Sequence, residues 1–531
     1  MKSDATIYQI IKMNAEKNLD SIAYDFLGFT STYGEFLKDI DRCADYLYAS
    51  GIKEGDIITI YLPNVPRALM LFYAANKIGA VSNFIHPNMA VAESLDLLKR
   101  MRPKAVFLLD SMILKLRELQ SHHISTQYFI IKVSEFLPLK YQIPYRIKEI
   151  FFRMKIKVSN EVSYYNDKNT AASGINEYMN AYGNATILFT GGTTGVPKGV
   201  CLSSKNINEA ALLTGNYRKD RKSSDKMLAV LPVFHGYGLV NCIHTTFIES
   251  CRLIILPYFK DRLFIRTILT EKPNYILGIP KLYSKMAELL EKRNADVSFF
   301  KGLYCGGSKL SESIRKKINR VLIEKNSSAL VQEGYGLTEC VGACTIMPAD
   351  RYKENSIGLP YEGVRIRIVK PDSNQVLPSN QTGEICINSE TVMIGYFQEE
   401  SNNIYVDNGE RWLHTGDLGY ADNEGFIFFV DRLKRMIKIL GYEVYPELVE
   451  ATISKLENVT NCCVVEKTEG DNTLLKAYVV LTNITQKAKA QKDILQICEK
   501  NLSKWSIPRE IEFVSSIPET LLKKNDYRKL S

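Results

Sequence analysis

Short apolar runs of strand length alternate with segments of helical spacing along most of the chain, and this rhythm constrains the fold more than any other feature. Apolar residues recur at helical spacing over Glu35–Tyr48, Gly51 and Gly55 break the pattern, and DIITIYLP follows as a buried strand. ALMLFYAANKIGA predicts a helix stopped at Gly79, and VSNFIHP and KAVFLLD predict further strands. RLIILP, NYILGIP and GLYCGG repeat the unit between residues 252 and 307. A chain that alternates strands and helices in this way builds a mostly parallel sheet with helices on both faces.

The character changes near residue 360. VRIRIVKPD, GEICIN, RWLHTGD and GFIFFVD read as short strands separated by turns, which predicts an antiparallel, barrel-like unit over 364–430. Beyond Asp431 come a basic segment, RLKRMIK, the turn GYEVYP, a helix ELVEATISKLEN, and strands NCCVVEK and LLKAYVVL. The expected fold class is α/β: a large N-terminal lobe of parallel-rich sheets with helices plus a distorted β-barrel, and a small α+β C-terminal lobe. The predicted divisions are 1–431, a hinge at 432–434, and 435–531. A cleft between two such lobes is the usual place for a site.

Composition narrows the function classes. Of the 531 residues, 45% are apolar and 24% charged, which excludes a disordered or fibrous chain. The formal charge of +9 is spread thinly, which suits anionic small ligands and argues against nucleic acid. Eleven cysteines without a CxxC pair read as small buried residues in a reducing, cytoplasmic setting. The six histidines show no metal-ligand spacing. The first twenty residues lack a basic segment followed by an apolar core, so no signal peptide is expected. Met227–Ile243 is interrupted by Pro232 and His235 and is not a membrane span. Over 143–158, apolar residues at helical spacing share the segment with Arg146, Lys148, Arg153, Lys155 and Lys157. This predicts a core-packed helix with a solvated basic face, with weak contact to an anionic membrane surface as the alternative.

The strongest local signal is ATILFTGGTTGVPKGV, residues 185–200. A strand runs into Thr190, Gly191, Gly192, Thr193, Thr194 and Gly195, followed by Lys198. Glycines let backbone N–H groups approach an anion closely, threonine hydroxyls donate to phosphate oxygens, and the lysine adds positive charge. The spacing is not that of a Walker A loop, because Pro197 precedes the lysine and Gly199 follows it. The loop resembles the phosphate loop of the adenylate-forming superfamily: acyl-CoA synthetases, aryl-CoA ligases, nonribosomal adenylation domains and firefly luciferase. The resemblance covers nearly the whole chain, with several motifs in the family's order. Gly191 stands where a serine is common in the family.

In QEGYGLTE, Tyr335 lies between glycines and is expected to expose a flat ring for a purine. Thr338 can donate to the α-phosphate, and Glu339 offers the hard carboxylate oxygen that Mg²⁺ prefers. In WLHTGD, Asp417 can accept two hydrogen bonds from a ribose diol. The resemblance implies further roles: Gly306, Gly307 and Ser308 beside adenine and the acyl pocket, Gly336 within the purine-side turn, Arg432 on the ribose, and Lys434 as the hinge. It also implies that the loop around Gly441 faces the site in the second half-reaction, with Lys438 as a second catalytic lysine. PETLLKKNDYR, residues 518–528, resembles the family's P-K-T-x-x-G-K-x-x-x-R and places the catalytic lysine at Lys524. Glu519 and Lys523 depart from that pattern, and Lys523 competes with Lys524 for the role.

LPVFHGYG resembles the segment beside the acyl pocket, with His235 at the position that gates the carboxylate. An α-amino acid would need an acidic partner for its ammonium, and this stretch has none. Tyr237, Ile279, Cys305, Gly306, Val341, Gly342 and Cys344 are expected to line an apolar pocket for a fatty or aryl acid. The reading that follows is an ATP- and Mg²⁺-dependent ligase that makes an acyl-AMP and then a thioester with coenzyme A. A carrier-protein pantetheine is the alternative acceptor, and a non-catalytic nucleotide-binding homologue is the reading from another class.

Overall fold

The computed structural model describes residues 4–122, 126–138, 141–145, 162–168, 170, 174–190, 197–218, 220–342, 344–400, 403–439, 442–469, 472–483, 485, 487–519 and 525–530. Two large sheets dominate. The first has eight strands, in the order Gly395–Tyr396, Gly199–Ser203, Asn184–Phe189, Val81–Phe84, Ile57–Tyr61, Ala105–Leu109, Gln127–Ile131 and Val162–Tyr164. Its pairs are parallel except where Gly199–Ser203 meets its two neighbours. The second has nine strands, with a parallel centre running from Ile22–Phe26 through Arg252–Ile255, Lys226–Ala229, Tyr275–Gly278 and Gly302–Cys305 to Val331–Tyr335.

Strands such as AVFLL at Ala105–Leu109 are buried throughout, because helices cover both faces of a parallel sheet. Helix Pro66–Lys77 opens on its proline and is buried at every position from Pro66 to Asn76, so it serves as core rather than cover. Thr6, Thr32 and Ser203 cap the helices that follow them, each reciprocated by the side chain three residues on: Gln9, Glu35 and Asn206. One apolar core joins the two sheets, with Ile58 and Phe84 from the first and Met227 and Tyr275 from the second.

The barrel-like unit expected over 364–430 is a five-stranded antiparallel sheet, and no hydrogen-bonded pair among the described residues joins its outer strands. RWLHTGD is not a short strand of its own. It is the middle of the twelve-residue strand Glu410–Ala421, which is long because it pairs with three partners in succession. The C-terminal part has a separate apolar core that includes Ile437, Val449, Ile453, Val464, Val479 and Ile494. It contains the antiparallel pair Val459–Glu469 and Asn472–Leu481, with Glu510–Phe513 added in parallel. All eleven cysteines are free and buried. No helix among the described residues is long and apolar enough to cross a membrane. The reading of a basic helix over 143–158 falls almost wholly on residues 146–158, outside the described residues.

Candidate active site

The carboxyl ends of the parallel strands open into a cleft of about 3700 Å³. Ligands of α/β sheets bind at such strand ends. Its walls come from both large sheets, the antiparallel sheet, the 432–435 connection and the C-terminal part.

Thr190 and Lys198 line the cleft, and Thr190 N donates to Lys198 O at 3.0 Å, which closes the base of the glycine loop. Gly191, Gly192, Thr193, Thr194 and Gly195 lie outside the described residues. Lys198 Nζ sits 3.0 Å from Glu399 and 4.6 Å from the centre of the Tyr396 ring. Arg100 donates to Pro197 O at 3.0 Å and faces Glu399 at 3.5 Å. Two cations therefore share one carboxylate at the loop's exit. Neither Arg100 nor Glu399 was legible in the sequence, since each is distant in the chain and belongs to no motif.

Tyr335, Asp417 and Arg432 meet in the same cleft. The Tyr335 hydroxyl donates to Asp417 Oδ2 at 2.7 Å, and Arg432 Nε stands 3.1 Å from Asp417 Oδ1. Strand register makes this pairing, because Asp417 lies directly opposite Arg432. Burial and the Asp417 charge push the Tyr335 hydroxyl's pKa up, so the phenol stays a donor. The Asp417 charge likewise pushes the Arg432 pKa up. The expectation of an exposed Tyr335 ring is corrected: it is half-buried and tilted 6.4 Å from Phe429, because its hydroxyl is tied to a carboxylate that is 2% exposed. The turn before Asp417 has its own support. Glu384 Oε1 accepts from Gly416 N at 2.8 Å, and Glu384 Oε2 lies 2.8 Å from His414 Nδ1. Glu384, Cys386 and His414 come within ligand distance of one another, a grouping from two paired strands that linear spacing does not reveal.

Thr338 and Glu339 occupy a tight helical turn, Thr338–Cys340. Gly342 N donates to Leu337 O at 2.8 Å and Val341 N to Thr338 O at 3.0 Å, a Schellman closure with Val341 at the left-handed position, φ +56°. Glycine is usual there; a β-branched residue costs about 1–2 kcal/mol in that conformation. Glu339 accepts from the Tyr396 hydroxyl at 2.8 Å, and burial raises its carboxyl pKa. Glu333, one strand pleat from Gly334, accepts from Leu310 N at 2.9 Å, and burial lifts its pKa to about 7. Gly307, at φ +82°, Ser308 and Gly336 also line the cleft.

At the other end stand His235, Tyr237, Ile279, Gly306 and Gly342. Tyr237 begins the π-helix Tyr237–His244 and donates to Tyr304 O at 3.1 Å. Wide helical turns of this kind recur at functional sites. Cys305, Val341 and Cys344 do not line the cleft: all are fully buried behind it, because their side chains point to the core face of their strand or turn. Thr214, Tyr217, Asn241, Tyr304 and Tyr361 take up this wall instead.

Lys434 is exposed in the turn Leu433–Arg435 and lines the cleft. Beside it, Arg435 pairs with Glu450 at 2.6 Å, and buried Asp431 accepts from Glu447 N at 2.7 Å. Burial, with Asp431 and Glu450 close by, raises the Glu447 pKa to about 8. The tail forms a hairpin: Asp526 N donates to Pro518 O at 2.7 Å and Glu519 bridges Asn525. Lys281 of the large lobe holds Glu519 at 2.9 Å. Lys523, Lys524, Gly441 and the Lys438 side chain lie outside the described residues.

Comparison with known proteins bears on the family and the fold. A family model described as AMP-binding enzyme matches residues 11–397, and one described as AMP-binding enzyme C-terminal domain matches 448–524. A long-chain-fatty-acid–CoA ligase of Bacillus subtilis (strain 168) is 27% identical, covering 99% of this chain and 94% of that protein. A probable 4-coumarate–CoA ligase of Dictyostelium discoideum is also 27% identical, over 97% and 93% of the two chains. The structure of O-succinylbenzoate coenzyme A synthetase from Bacillus subtilis, in complex with ATP and magnesium ion, superposes with a TM-score of 0.80 at 24% identity, covering 98% of each chain. An anthranilate CoA ligase in complex with anthranoyl-AMP gives 0.83 at 18% identity, covering 100% of this chain and 98% of that one. The chain belongs to the AMP-binding enzyme family, the adenylate-forming group that includes the acyl- and aryl-CoA ligases.

Proposed function

We propose that this protein activates an apolar carboxylic acid, fatty or aryl, as an acyl-AMP at the expense of ATP, and then transfers the acyl group to coenzyme A. The observation that carries the reading is the single cleft that gathers Thr190 and Lys198, Thr338 and Glu339, Tyr335, Asp417 and Arg432, and the His235–Tyr237 wall. A polyanion, a sugar diol and an acid each meet a matching surface in that order.

In the first half-reaction a carboxylate oxygen attacks the α-phosphorus, and the bond to pyrophosphate breaks. Charge grows on the phosphoryl oxygens, and Lys198, Thr338 and Lys524 are the groups assigned to stabilise it. Catalysis of this kind is positioning and electrostatics. Asp417, already aligned by Tyr335 and Arg432, receives the ribose diol. Glu339 fits Mg²⁺, since it is a hard oxygen donor at the cleft wall and one of its oxygens is oriented by Tyr396. When bound, that ion supplies charge neutralisation at the phosphates. The segment 231–238 carries His235 and Tyr237 and no acidic residue, which favours an acid without an α-amine.

In the second half-reaction a thiolate attacks the acyl carbonyl, the bond to AMP breaks, and AMP leaves with the pair of electrons. The 435–531 unit swings about Lys434 between the two steps, withdrawing Lys524 and presenting Lys438 and the Gly441 turn. Such alternation is a gating motion. Eleven free buried cysteines support a reducing, cytosolic setting. The test is a screen of fatty and aryl acids for acid-dependent pyrophosphate release from ATP, followed by CoA-dependent release of AMP and free acyl-CoA. Absence of pyrophosphate release with every acid overturns the reading. Release without acyl-CoA formation moves the acceptor to a carrier protein.

A further inference from the structure

Two cations and one carboxylate meet where the glycine loop ends, and the acyl-transfer chemistry described above uses only one of the three, Lys198. Lys198 immediately precedes strand Gly199–Ser203. Strand Gly395–Tyr396 pairs antiparallel with that strand, Tyr396 opposite Val200, and Phe397 N donates to Gly199 O at 2.7 Å. This pairing carries Glu399 alongside Lys198. Arg100 comes from the last turn of helix Val91–Met101. Its Nη1 donates to Pro197 O at 3.0 Å, and its Nη2 faces Glu399 Oε1 at 3.5 Å. Lys198 Nζ takes the other oxygen, Oε2, at 3.0 Å. Each oxygen of the carboxylate thus serves one cation.

All three groups are reachable: the side chains of Arg100, Lys198 and Glu399 are 29%, 37% and 34% exposed, and Arg100 and Lys198 line the cleft. Lys198 also lies 4.6 Å from the centre of the Tyr396 ring, whose hydroxyl donates to Glu339 at 2.8 Å. One tyrosine therefore separates Lys198 from the carboxylate that fits Mg²⁺, and a phosphate chain beside Glu339 competes with Glu399 for the lysine. A carboxylate stripped of its cation next to arriving phosphates would repel them. Arg100 prevents this. Its planar fork spends one N–H on the Pro197 carbonyl and points another at Glu399, so it stays against the carboxylate when Lys198 turns away.

We infer that Arg100 is a positioning residue for ATP: it neutralises Glu399 while Lys198 passes from that carboxylate to the β- and γ-phosphates. Glu399 restrains the lysine, and Arg100 makes the restraint easy to release. Neither touches the reacting atoms. The inference rests on the acid-ligase reading, which brings a triphosphate to Lys198, and names what regulates that lysine.

The experiment is isothermal titration of the full chain with MgATP and with AMP, which needs no knowledge of the acid. Arg100→Ala leaves Glu399 to Lys198 and is expected to weaken MgATP binding roughly 2- to 5-fold, the size of a partly exposed ion pair. Glu399→Gln frees Lys198 and is expected to tighten MgATP binding by a similar factor. AMP lacks the β- and γ-phosphates, so its Kd stays unchanged in both variants, which also shows that they fold. In the double variant the effect of Arg100→Ala disappears, because there is no longer a carboxylate to neutralise. Failure of Glu399→Gln to tighten MgATP overturns the inference and leaves the ligase reading standing. So does a loss from Arg100→Ala that persists in full beside Glu399→Gln, which makes Arg100 a direct phosphate contact, and so does an equal loss for AMP, which makes its role structural. No MgATP binding by the wild-type protein counts against both readings.

Discussion

The Asp417 carboxylate offers the sharpest test of how the nucleotide is held. It is 2% exposed, its Oδ2 accepts from Tyr335 at 2.7 Å, and its Oδ1 faces Arg432 Nε at 3.1 Å. Asp417→Asn keeps the shape and leaves one oxygen for two donors. With that oxygen toward Tyr335, the new NH₂ faces Arg432; reversed, Tyr335 loses its acceptor. Either way the ribose meets one acceptor where there were two. The Arg432 side chain is 44% exposed, so the lost ion pair contributes little by itself. The main effect is one hydrogen bond to a charged group, about 1.5–3 kcal/mol, or roughly 10- to 100-fold in the KM for ATP. The assay is acid-dependent pyrophosphate release at varied ATP, repeated with 2′-deoxy-ATP and 3′-deoxy-ATP. If Asp417 holds the diol, the losses from mutation and from deoxygenation do not add, because each removes the same bond. An unchanged KM for ATP, or fully additive losses with both analogues, refutes the assignment.

Three other outcomes are expected. Lys524→Ala slows acyl-AMP formation by roughly 10²- to 10³-fold and spares thioester formation from supplied acyl-AMP, whereas Lys523→Ala does not; rapid-quench assays of each half-reaction separate them. Lys281→Ala removes the contact with Glu519, and with the two side chains 62% and 30% exposed it slows the first half-reaction by no more than about fivefold, an effect that vanishes at high salt in the same assay. Glu447, with its pKa raised to about 8 in the folded protein, binds a proton that the unfolded chain has already released above about pH 4.5, so this group's contribution to stability falls as pH rises from about 4.5 to 8. Glu447→Gln is expected to shift the urea midpoint upward at pH 9 relative to the parent and to change it little at pH 4.5.

The parallel-rich lobe was legible because buried strands must be apolar throughout and their crossover helices must be amphipathic, and both patterns survive in a linear reading. The glycine–threonine loop and the QEGYGLTE and WLHTGD segments were legible for a similar reason: the residue types that make each one notable are neighbours in the chain. Asp417 could be chosen from six consecutive residues, and Glu339 from eight.

Other features depended on what the sheets bring together. Glu384 reaches the Gly416 turn from 32 residues away, and Glu399 reaches Arg100 across 299. Cys305, Val341 and Cys344 read as pocket residues because they sit beside residues that are. Cys305 ends a strand, where neighbours point to opposite faces and a one-residue step moves a side chain from cleft to core, while Val341 is turned away by the left-handed closure after Cys340. The sequence alone determined which chemical groups are present and which short segments can hold a phosphate, a ring or a carboxylate, since these depend on neighbours in the chain. The tertiary structure alone decided which of those groups face one another, since register, strand order and side-chain direction are settled only when distant segments pack.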